Sequence, residues 1–515
     1  MYSFSSEQIT PLFIGAIILL SSILFFNAGK TKASLILLFI GALALGFFMA
    51  NLDPYIMMWD EQYHALVAKN LSADMLKPTL YSHPILDYDY RNWTSNHIWL
   101  HKQPLFLWQM ALSMKLFGFN TLALRLPSIL LHAFAALMIF RIGKISNSEK
   151  TGYYGALLFA AAYYPLELLA GHFSTDHNDL AFLFYITASF WTWFEYQHTQ
   201  KKYYLILIGL FSGCAVLVKW MVGLLIYAVW FLTLGANDKR NWIKIKSYLP
   251  LIISASITLV VFVPWQIYIF LKYPLEAAHE FAYNTQHFFE VIEGHNGDMW
   301  FHFNALNDIY GSTIVVLIYA VGLMFFIAKM KSNIYRIATA SAIVIVYTFF
   351  TIAATKMTSF CIIVSPFIFL GLGCLIDSAV AFISTKIKYK QFEYIFSTLA
   401  LAIVAPLVMN ISKIEHYHTD KYPNDNGFRE AELQEIKRID KLTQHLGDEK
   451  YVVFNYTHFR DVQIMFFTNY IAYDFIPTEE QIAQIKSKKY KIAILDDGAL
   501  PKCIIDKNEI VKIKR

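Results

Sequence analysis

Apolar runs of about 20 residues recur along the chain, separated by short polar segments. A helix of this length crosses the ~30 Å hydrocarbon core of a bilayer. The pattern predicts an all-α polytopic membrane protein with about twelve transmembrane helices. The predicted spans are residues 11–28, 33–50, 122–142, 152–170, 180–197, 203–219, 221–236, 249–270, 312–329, 337–355, 359–381 and 391–411.

Lys and Arg occur in every second connector between these runs. The basic connectors are residues 29–32, 141–150, 197–202, 237–246, 328–336 and 384–390. Because basic connectors stay on the cytoplasmic side, the remaining ones, including the outer loops 51–121 and 271–311, are expected to be extracytoplasmic. The apolar segment 104–119 is too short to span a membrane and is typical of an interfacial helix.

The C-terminal part of the chain has a different pattern. Residues 412–515 are rich in Lys, Asp and Glu, with a helix-like stretch at 429–446 followed by short β-type runs. This pattern predicts a small α/β domain on the extracytoplasmic side. The predicted organisation is therefore a membrane-spanning catalytic domain, 1–411, and an extracytoplasmic α/β domain, 412–515.

Composition supports the membrane assignment and excludes other classes. The 515 residues are 57% hydrophobic and only 16% charged, whereas soluble domains carry about 25% charged residues. The formal net charge of +5 arises in short connectors, so no nucleic-acid partner is expected. Three of the four cysteines lie in apolar runs, which indicates neither a disulfide framework nor a cysteine zinc site.

Two adjacent carboxylates, Asp60 and Glu61, stand where the chain first leaves the membrane on the outer side. They could simply favour the dipole of a helix that begins there. Alternatively, one carboxylate takes the proton of an attacking hydroxyl while the other orients it. Adjacent residues cannot readily flank one glycosidic bond as the two acids of a glycosidase do.

Several further charged residues lie at the predicted outer boundary. Cations there could bind an anionic lipid head, or be ordinary interfacial charges. Acids at an outer helix start could belong to the site or cap the helix. The cations are Lys102, Arg125, Lys219 and Lys356, and the acids are Asp176 and Asp179.

Five segments, in this order, resemble one family. They are "HKQPLFLW", "LFGFNTLALRLPS", "NDLAFLF", "LVKWMVGLL" and "TKMTSFCIIVSP". Together with the Asp-Glu pair, they resemble the bacterial lipid-linked-sugar glycosyltransferases of GT-C fold. These include the aminoarabinose transferases that modify lipid A and the protein O-mannosyltransferase-like superfamily. The resemblance covers roughly residues 51–370 and the outer C-terminal domain.

The resemblance implies an inverting transfer of a sugar from a polyprenyl phosphate. Asp60 is then the base or the acid that orients the acceptor, with Glu61 as its partner and Asp179 as a second site carboxylate. Tyr63, Arg125 and Asp176 belong to the substrate site, and the cations on the phosphate side are Lys102, Lys219 and Lys356. The chemistry requires no cofactor, although His101 and His287 could hold a divalent metal such as zinc, as some relatives do.

The chain departs from the family pattern at several places. Gln103 stands where proline is usual, His101 where the aminoarabinose transferases have glutamate, and Phe360 where tyrosine is usual. Sugar and acceptor therefore stay open, and both lipid A modification and protein O-glycosylation are possible processes.

The expected function is transfer of a sugar from a polyprenyl phosphate to a lipid, glycan or protein of the cell envelope, on the outer face of the cytoplasmic membrane. One alternative is a lipid or solute transporter or flippase, which would favour an inverted repeat and ionisable residues at mid-membrane. Others are an O-antigen-ligase-like polymerising enzyme and a lipid-binding or assembly protein with an inactive site.

Overall fold

The computed structural model describes residues 4–386, 390–419 and 428–514. The N-terminal half is helical throughout. Its α-helices are α1 (Ser6–Asn27), α2 (Thr31–Ala50), α3 (Asp60–Leu71), α4 (Pro104–Phe117), α5 (Thr121–Ser146), α6 (Glu149–Ala160), α7 (Tyr163–Leu169), α8 (Asp176–Thr199), α9 (Tyr203–Lys219), α10 (Leu225–Thr233) and α11 (Leu249–Lys272). Short 3₁₀ helices occupy Trp220–Leu224, Lys239–Trp242 and Ile245–Ser247.

The second half adds further helices and then a sheet. Its helices are α12 (Pro274–Phe289), α13 (Phe301–Asn304), α14 (Leu306–Tyr310), α15 (Thr313–Lys329), α16 (Asn333–Ile352), α17 (Ser365–Lys386), α18 (Lys390–Met409), α19 (Ile411–His418), α20 (Phe428–Leu446), α21 (Asp461–Phe467), α22 (Glu479–Ser487) and α23 (Lys502–Ile505). Its strands are β1 (Tyr451–Phe454), β2 (Ile471–Ala472), β3 (Lys491–Asp496) and β4 (Ile510–Lys514), with a 3₁₀ helix at Thr358–Val364.

The predicted all-α polytopic membrane protein with a small C-terminal α/β domain is confirmed. Within the part of the chain that the structure describes, eight helices are long and apolar enough to cross a membrane, or nine if a bent pair counts as one span. About twelve were expected from the apolar runs. The basic connector predicted at 384–390 lies partly outside the described residues.

Two local features account for part of this difference. Predicted spans 203–219 and 221–236 count as one candidate span, Tyr203–Thr233, although the 3₁₀ turn Trp220–Leu224 separates α9 from α10 and the Ser212 hydroxyl donates back to the Gly223 carbonyl at 2.8 Å. Predicted span 152–170 is broken between α6 and α7, just before Pro165. Proline fits the first turn of a helix but not its interior, so α7 starts anew there.

The chain packs into two compact units. One, called here the helical unit, consists of Met1–Leu52, Ser128–Lys272 and Phe281–Glu415. The other, the α/β unit, consists of Asp53–Pro127, Tyr273–Glu280 and His416–Arg515. The loop that carries Asp60 therefore packs with the C-terminal residues, while the domain limits 1–411 and 412–515 stay a prediction.

Close helix contacts through small residues build the core of the helical unit. A Cβ added to Gly373 of α17 would lie 2.5 Å from the backbone nitrogen of Gly155 of α6, so these helices approach to backbone contact. Nearby, the rings of Phe26 and Tyr153 stack with centroids 3.9 Å apart, and the Tyr153 hydroxyl lies 2.7 Å from that of Ser22.

A parallel sheet forms the centre of the α/β unit. Among the described residues its strand order is β2-β1-β3-β4, and every neighbouring pair is parallel. Strand β1 is buried along its whole length, as expected of a strand covered on both faces. The chain leaves β1 toward β2 on one side and returns to β3 on the other. The carboxyl end of β1 therefore lies at a topological switch point.

Helix α21, which follows β1, is fastened at both ends to the loop that carries Asp60. At its N-terminal end, the Tyr81 hydroxyl donates to Asp461 Oδ2 (3.3 Å). At its C-terminal end, the Lys69 ammonium donates to the backbone carbonyls of Met465, Phe466 and Thr468 (2.8, 2.9 and 2.6 Å). A cation at the negative end of a helix dipole is favourable, so Lys69 joins the loop to α21.

Candidate functional site

Asp60 is the first residue of α3 and lies close to Lys102. The Lys102 ammonium is 4.0 Å from Asp60 Oδ1, and the two side chains are 24% and 18% exposed. Both groups are therefore accessible to a ligand. Trp59, the residue before the helix, has a φ of 78°, which is unusual for a bulky residue.

Glu61 is a fully buried carboxylate with a fixed partner. Arg125 donates to both of its oxygens, through Nε at 2.8 Å and Nη2 at 3.0 Å. The Met57 backbone N–H donates to Glu61 Oε2 at 2.6 Å. Arg125 also donates to the backbone carbonyls of Asp53 and Tyr55 (3.0 and 2.9 Å). Arg125 thus ties the segment before Asp60 to α5.

These contacts separate the roles of the two adjacent acids. Asp60 is partly exposed beside a lysine, whereas Glu61 is buried in a bidentate ion pair. Such a pair has fixed geometry. The contacts favour Glu61 and Arg125 as residues that position Asp60, and they give no support to the prediction that Arg125 meets a lipid head.

Tyr63 lies one turn into α3 and is buried. Within the described part of the chain, its hydroxyl has no hydrogen-bond partner, and neither has the side-chain amide of Gln62. Burial, followed by the charges of Asp461, Asp474 and Asp60, raises the pKa of the Tyr63 hydroxyl. The hydroxyl is therefore neutral and buried, and the predicted contact of Tyr63 with a substrate stays a prediction.

A second buried network in the α/β unit was missed from the sequence. Asp53 Oδ2 lies 2.5 Å from His418 Nδ1, and Asp53 Oδ1 accepts from Arg429 Nε at 3.1 Å. Burial alone would raise the pKa of Asp53. The charge and hydrogen bond of His418 and the charges of Arg429 and Arg125 outweigh burial and lower it. Its partners lie more than 300 positions away, so no local spacing could have pointed to them.

Asp179, Lys219 and Lys356 belong to the helical unit. The Lys219 ammonium pairs with Asp179, and the Thr175 hydroxyl also donates to that carboxylate. Lys219 lies 4.4 Å from the ring centroid of Phe360, the residue found where the family has tyrosine. Asp179, Lys219 and Phe360 are thus brought together. Asp176 is buried, and its Oδ1 lies 3.4 Å from the backbone N–H of Asn178.

Lys356 is buried at the end of α16. Its ammonium donates to the backbone carbonyls of Thr351 at 2.8 Å and Ala353 at 2.7 Å. These are carbonyls that a helix end leaves unpaired, so the contacts of Lys356 are typical of a helix cap. Its predicted role beside a phosphate stays a prediction.

The two predicted metal ligands fall in different units. In the α/β unit, His101 Nδ1 lies 3.3 Å from Glu280 Oε2, and the His101 ring stacks under Trp93 with centroids 4.4 Å apart. In the helical unit, His287 Nδ1 lies 2.9 Å from the Tyr283 carbonyl. A zinc site needs at least three protein ligands. A carboxylate beside a histidine is common in zinc sites, as a ligand or as the group that orients the ring, so the zinc site stays a prediction.

An apolar cavity of about 520 Å³ lies in the helical unit. Its walls come from α14, α15 and α16, and they include the rings of Tyr310, Tyr319 and Tyr347. Thr351, whose carbonyl accepts from Lys356, also lines it. The lining suits a hydrocarbon chain.

Comparison with solved structures shows what this arrangement resembles. The crystal structure of ArnT from Cupriavidus metallidurans bound to undecaprenyl phosphate matches with a TM-score of 0.61 at 16% identity, over 89% of this chain and 88% of that one. The archaeal oligosaccharyltransferase AglB from Archaeoglobus fulgidus, in complex with an inhibitory peptide and a dolichol-phosphate, matches with a TM-score of 0.55 at 12% identity. That match covers 86% of this chain and 64% of that one.

The chain has the GT-C fold. The resemblance predicted from the sequence motifs is thereby confirmed at the level of the fold, and the protein is a multi-pass membrane protein. The family model described as dolichyl-phosphate-mannose-protein mannosyltransferase matches residues 101–268 of this GT-C chain.

Sequence comparison adds one relative. An uncharacterized protein from Aquifex aeolicus (strain VF5) is 29% identical over 216 residues, which is 41% of this chain. The match spans about two fifths of that relative, 40% of its length. The GT-C fold therefore rests on the structural matches and on the order of the motifs.

Proposed function

We propose that this GT-C chain is an integral-membrane glycosyltransferase. It transfers a sugar from a polyprenyl phosphate to a lipid, glycan or protein of the cell envelope, with inversion, on the outer face of the cytoplasmic membrane. The observation that carries the proposal is the partly exposed pair of Asp60 and Lys102, held beside a buried Glu61–Arg125 clamp. An undecaprenyl phosphate bound to ArnT, which shares the fold, supports the donor class.

The chemistry assigned to the site is a single displacement. The Asp60 carboxylate takes the proton of the acceptor hydroxyl as its oxygen forms a bond to the anomeric carbon. The bond from that carbon to the phosphate oxygen breaks, and the polyprenyl phosphate leaves as an anion. Lys102 is assigned to the leaving phosphate, since a fixed cation stabilises charge that develops in the transition state. A role of Lys219 beside the phosphate stays a prediction.

The apolar cavity of the helical unit suits the lipid part of this donor. A volume of about 520 Å³ accommodates a few isoprene units rather than a whole polyprenyl chain. Its lining carries tyrosine rings but no charged side chain. The reaction itself is assigned no metal. The zinc site at His101 and His287 stays a separate prediction, which metal analysis of the purified protein tests.

The test is complementation of a deletion strain with wild-type protein, Asp60→Asn or Asp87→Asn. Asp87 is an exposed acid of the same loop and serves as the matched control. Mass spectrometry of envelope lipids, glycans and proteins should show one sugar that depends on the wild-type chain. Asp60→Asn should lower that product by about 100-fold or more, since a general base contributes 10²–10⁴-fold.

Asp87→Asn should leave the product unchanged. An envelope restored equally well by Asp60→Asn and by the wild type contradicts the proposal. A product that carries repeating units rather than a single sugar would instead favour the polymerising alternative.

A further inference from the structure

Two neighbouring aromatic rings, one exposed and one half-buried, lie in the α/β unit at the start of the helix that carries Asp60. Trp59 is 44% exposed, and its ring centroid lies 5.0 Å from that of Phe459, with the planes tilted by 39°. Trp59 directly precedes Asp60 and has a φ of 78°. A bulky residue keeps such a backbone conformation only where its surroundings impose it, and such residues cluster at functional sites.

Phe459 reaches Trp59 from the loop 455–460 at the carboxyl end of β1. Three non-glycine residues of this loop, Asn455, His458 and Phe459, have positive φ values of 59°, 65° and 60°. The end of β1 is the switch point of the parallel sheet, where open sheets of this kind bind ligands. The carboxyl end of β1, where such sheets bind ligands, therefore lies next to the Asp60 loop.

Buried contacts fix this loop in place. Arg460 donates to the buried Glu432 carboxylate at 2.7 Å, and the Tyr456 hydroxyl donates to the buried Glu435. Helix α21, which begins directly after the loop, is attached to Lys69 at its far end. The position of Phe459 next to Trp59 is therefore set by internal contacts.

The groups around the two rings are polar. Asp60 adjoins Trp59, the Lys102 ammonium lies 4.0 Å from Asp60, and the His458 side chain is exposed. A pyranose ring has C–H bonds on its face and hydroxyls at its rim, so it matches aromatic faces edged by charged groups. A lipid tail requires a continuous apolar lining instead.

We propose that Trp59 and Phe459 form a platform for a pyranose ring of the acceptor, so that the acceptor is a glycan or a glycolipid. This inference rests on the proposed function, in which Asp60 takes the proton of the acceptor hydroxyl. A base must lie within about 3 Å of the oxygen it deprotonates. The side chain next to Asp60 in sequence therefore contacts the acceptor.

The first experiment measures the Asp60-dependent product in cells that carry Trp59→Ala, Phe459→Ala or Trp59→Phe. Trp242→Ala is the matched control, because Trp242 is 37% exposed and its ring lies 4.9 Å from that of Phe231. Both platform alanine variants should lose about tenfold or more of the product, which corresponds to about 1.4 kcal/mol. Trp59→Phe keeps an aromatic face and should restore part of the product that Trp59→Ala loses. Trp242→Ala should stay within about threefold of the wild type, with protein amounts matched by immunoblot.

The second experiment determines where the sugar is attached. Linkage analysis should find it on a hydroxyl of another sugar. A product on a serine or threonine of a protein contradicts the platform and leaves the transferase intact. Wild-type amounts of product from both Trp59→Ala and Phe459→Ala would likewise contradict the platform and leave the transferase intact. By contrast, full activity of Asp60→Asn contradicts the proposed function itself.

A binding experiment judges the platform independently of catalysis. Saturation-transfer NMR is recorded on the full-length protein in lipid nanodiscs with methyl α-D-mannopyranoside and methyl β-D-glucopyranoside. Transfer to the ring protons of at least one glycoside should occur with the wild type and Trp242→Ala, and should be lost in Trp59→Ala. Equal transfer to the wild type and Trp59→Ala, or none to either, overturns the platform.

Discussion

Glu61 and Arg125 determine how the backbone approaches Asp60. Their side chains are fully buried and joined by two hydrogen bonds, while Arg125 also donates to the carbonyls of Asp53 and Tyr55. A buried ion pair adds little net stability over an apolar pair, but loss of one partner leaves an unpaired charge. The pair therefore specifies one conformation of residues 53–61.

We expect Glu61→Gln and Arg125→Met each to destabilise the protein by about 3–5 kcal/mol, because each leaves its partner buried without a countercharge. The double variant should be less destabilised than the sum of the two single variants. Thermal unfolding in nanodiscs measures this coupling. The partly exposed pair of Lys144 and Glu149 is the control, and Lys144→Met should cost about 1 kcal/mol or less.

The Asp60-dependent product should stay low in the double variant even where stability recovers, since the bonds from Arg125 to the backbone before Asp60 are lost. Strictly additive destabilisation, or a double variant with full product, would contradict the positioning role.

Asp461 makes stability depend on pH. Burial, with a contribution from the charge of Asp474, raises the pKa of this carboxyl to about 8 from its ordinary value of 3.8. Between these values the folded protein holds a proton that the unfolded chain has released. Stability therefore falls as pH rises through this window, by up to about 1.4 kcal/mol per pH unit.

Asp461→Asn replaces the carboxyl by a neutral amide of similar size, so the variant does not lose stability through ionisation of this group as pH rises. We expect the apparent melting temperature of the variant to rise relative to that of the wild type as pH is raised from about 5 to about 8. Asp506→Asn, at an exposed acid of the same unit, should show no such gain. A difference between Asp461→Asn and the wild type that does not change with pH would show that Asp461 is ionised when folded.

The sequence predicted the location of the candidate site better than the roles within it. Asp60 and Glu61 are neighbours in the same pattern, so spacing could not tell which is exposed. Their environments differ because Arg125, 64 positions from Glu61, reaches only one of them. No pattern in the sequence indicated that Asp461 is buried, because its contacts include Tyr81, which lies 380 positions away.

At the scale of elements, α21 links the C-terminal sheet to the Asp60 loop. Lys69→Met removes three hydrogen bonds from carbonyls at its end. Such groups cost about 1–3 kcal/mol each when they are buried without a donor. We expect faster amide hydrogen exchange in residues 461–468 and a lower melting temperature. Lys77→Met, at an exposed lysine of the same loop, should change neither.

Exchange in α21 that is unaltered by Lys69→Met would mean that the loop and the helix are held together elsewhere, for instance through Tyr81 and Gln463. Gln463 Nε2 donates to the Ile56 carbonyl at 3.4 Å, a weaker contact than those of Lys69.

Helix positions were largely predictable because apolar length is a strong local signal. The predicted stretch 429–446 corresponds to α20 (Phe428–Leu446), and the short apolar segment 104–119 corresponds to α4 (Pro104–Phe117). The breaks inside apolar stretches were not foreseen, since Pro165 fits either a kink or a new first turn. Polar residues that are buried by tertiary contacts leave no periodic trace.

At the scale of the whole molecule, sidedness is the main prediction. The pattern of basic connectors predicts that the C-terminal residues lie outside the cytoplasm. Cys503 is exposed, whereas Cys361 and Cys374 are buried. A membrane-impermeant maleimide should therefore label the wild type in spheroplasts and fail to label Cys503→Ser.

Lys201→Cys in the Cys503→Ser background is the opposite-side control, because Lys201 lies in a basic connector and is exposed. It should react only after the membrane is permeabilised. Labelling of Lys201→Cys in intact spheroplasts, with none of Cys503, would invert the topology and place Asp60 on the cytoplasmic side.

The way the chain divides into units was beyond the sequence. Apolar patterning separates spans from connectors, but it does not reveal which connectors fold together. The structure groups Asp53–Pro127 with His416–Arg515, through contacts such as that of Lys69 with Met465. Contacts between side chains that lie hundreds of positions apart depend on tertiary packing, and the spacing of apolar residues does not reveal them.

The attachment of Lys69 to α21 also has a consequence for biosynthesis. Its carbonyl partners are encoded 396 to 399 codons downstream, which a ribosome at 5–20 residues per second reaches about 20–80 s later. During that interval the loop around Asp60 lacks the contacts that attach it to α21. Ribosome stalling within those codons, or a nonsense mutation there, would thus leave a membrane-inserted polypeptide in which the loop around Asp60 is never attached to α21.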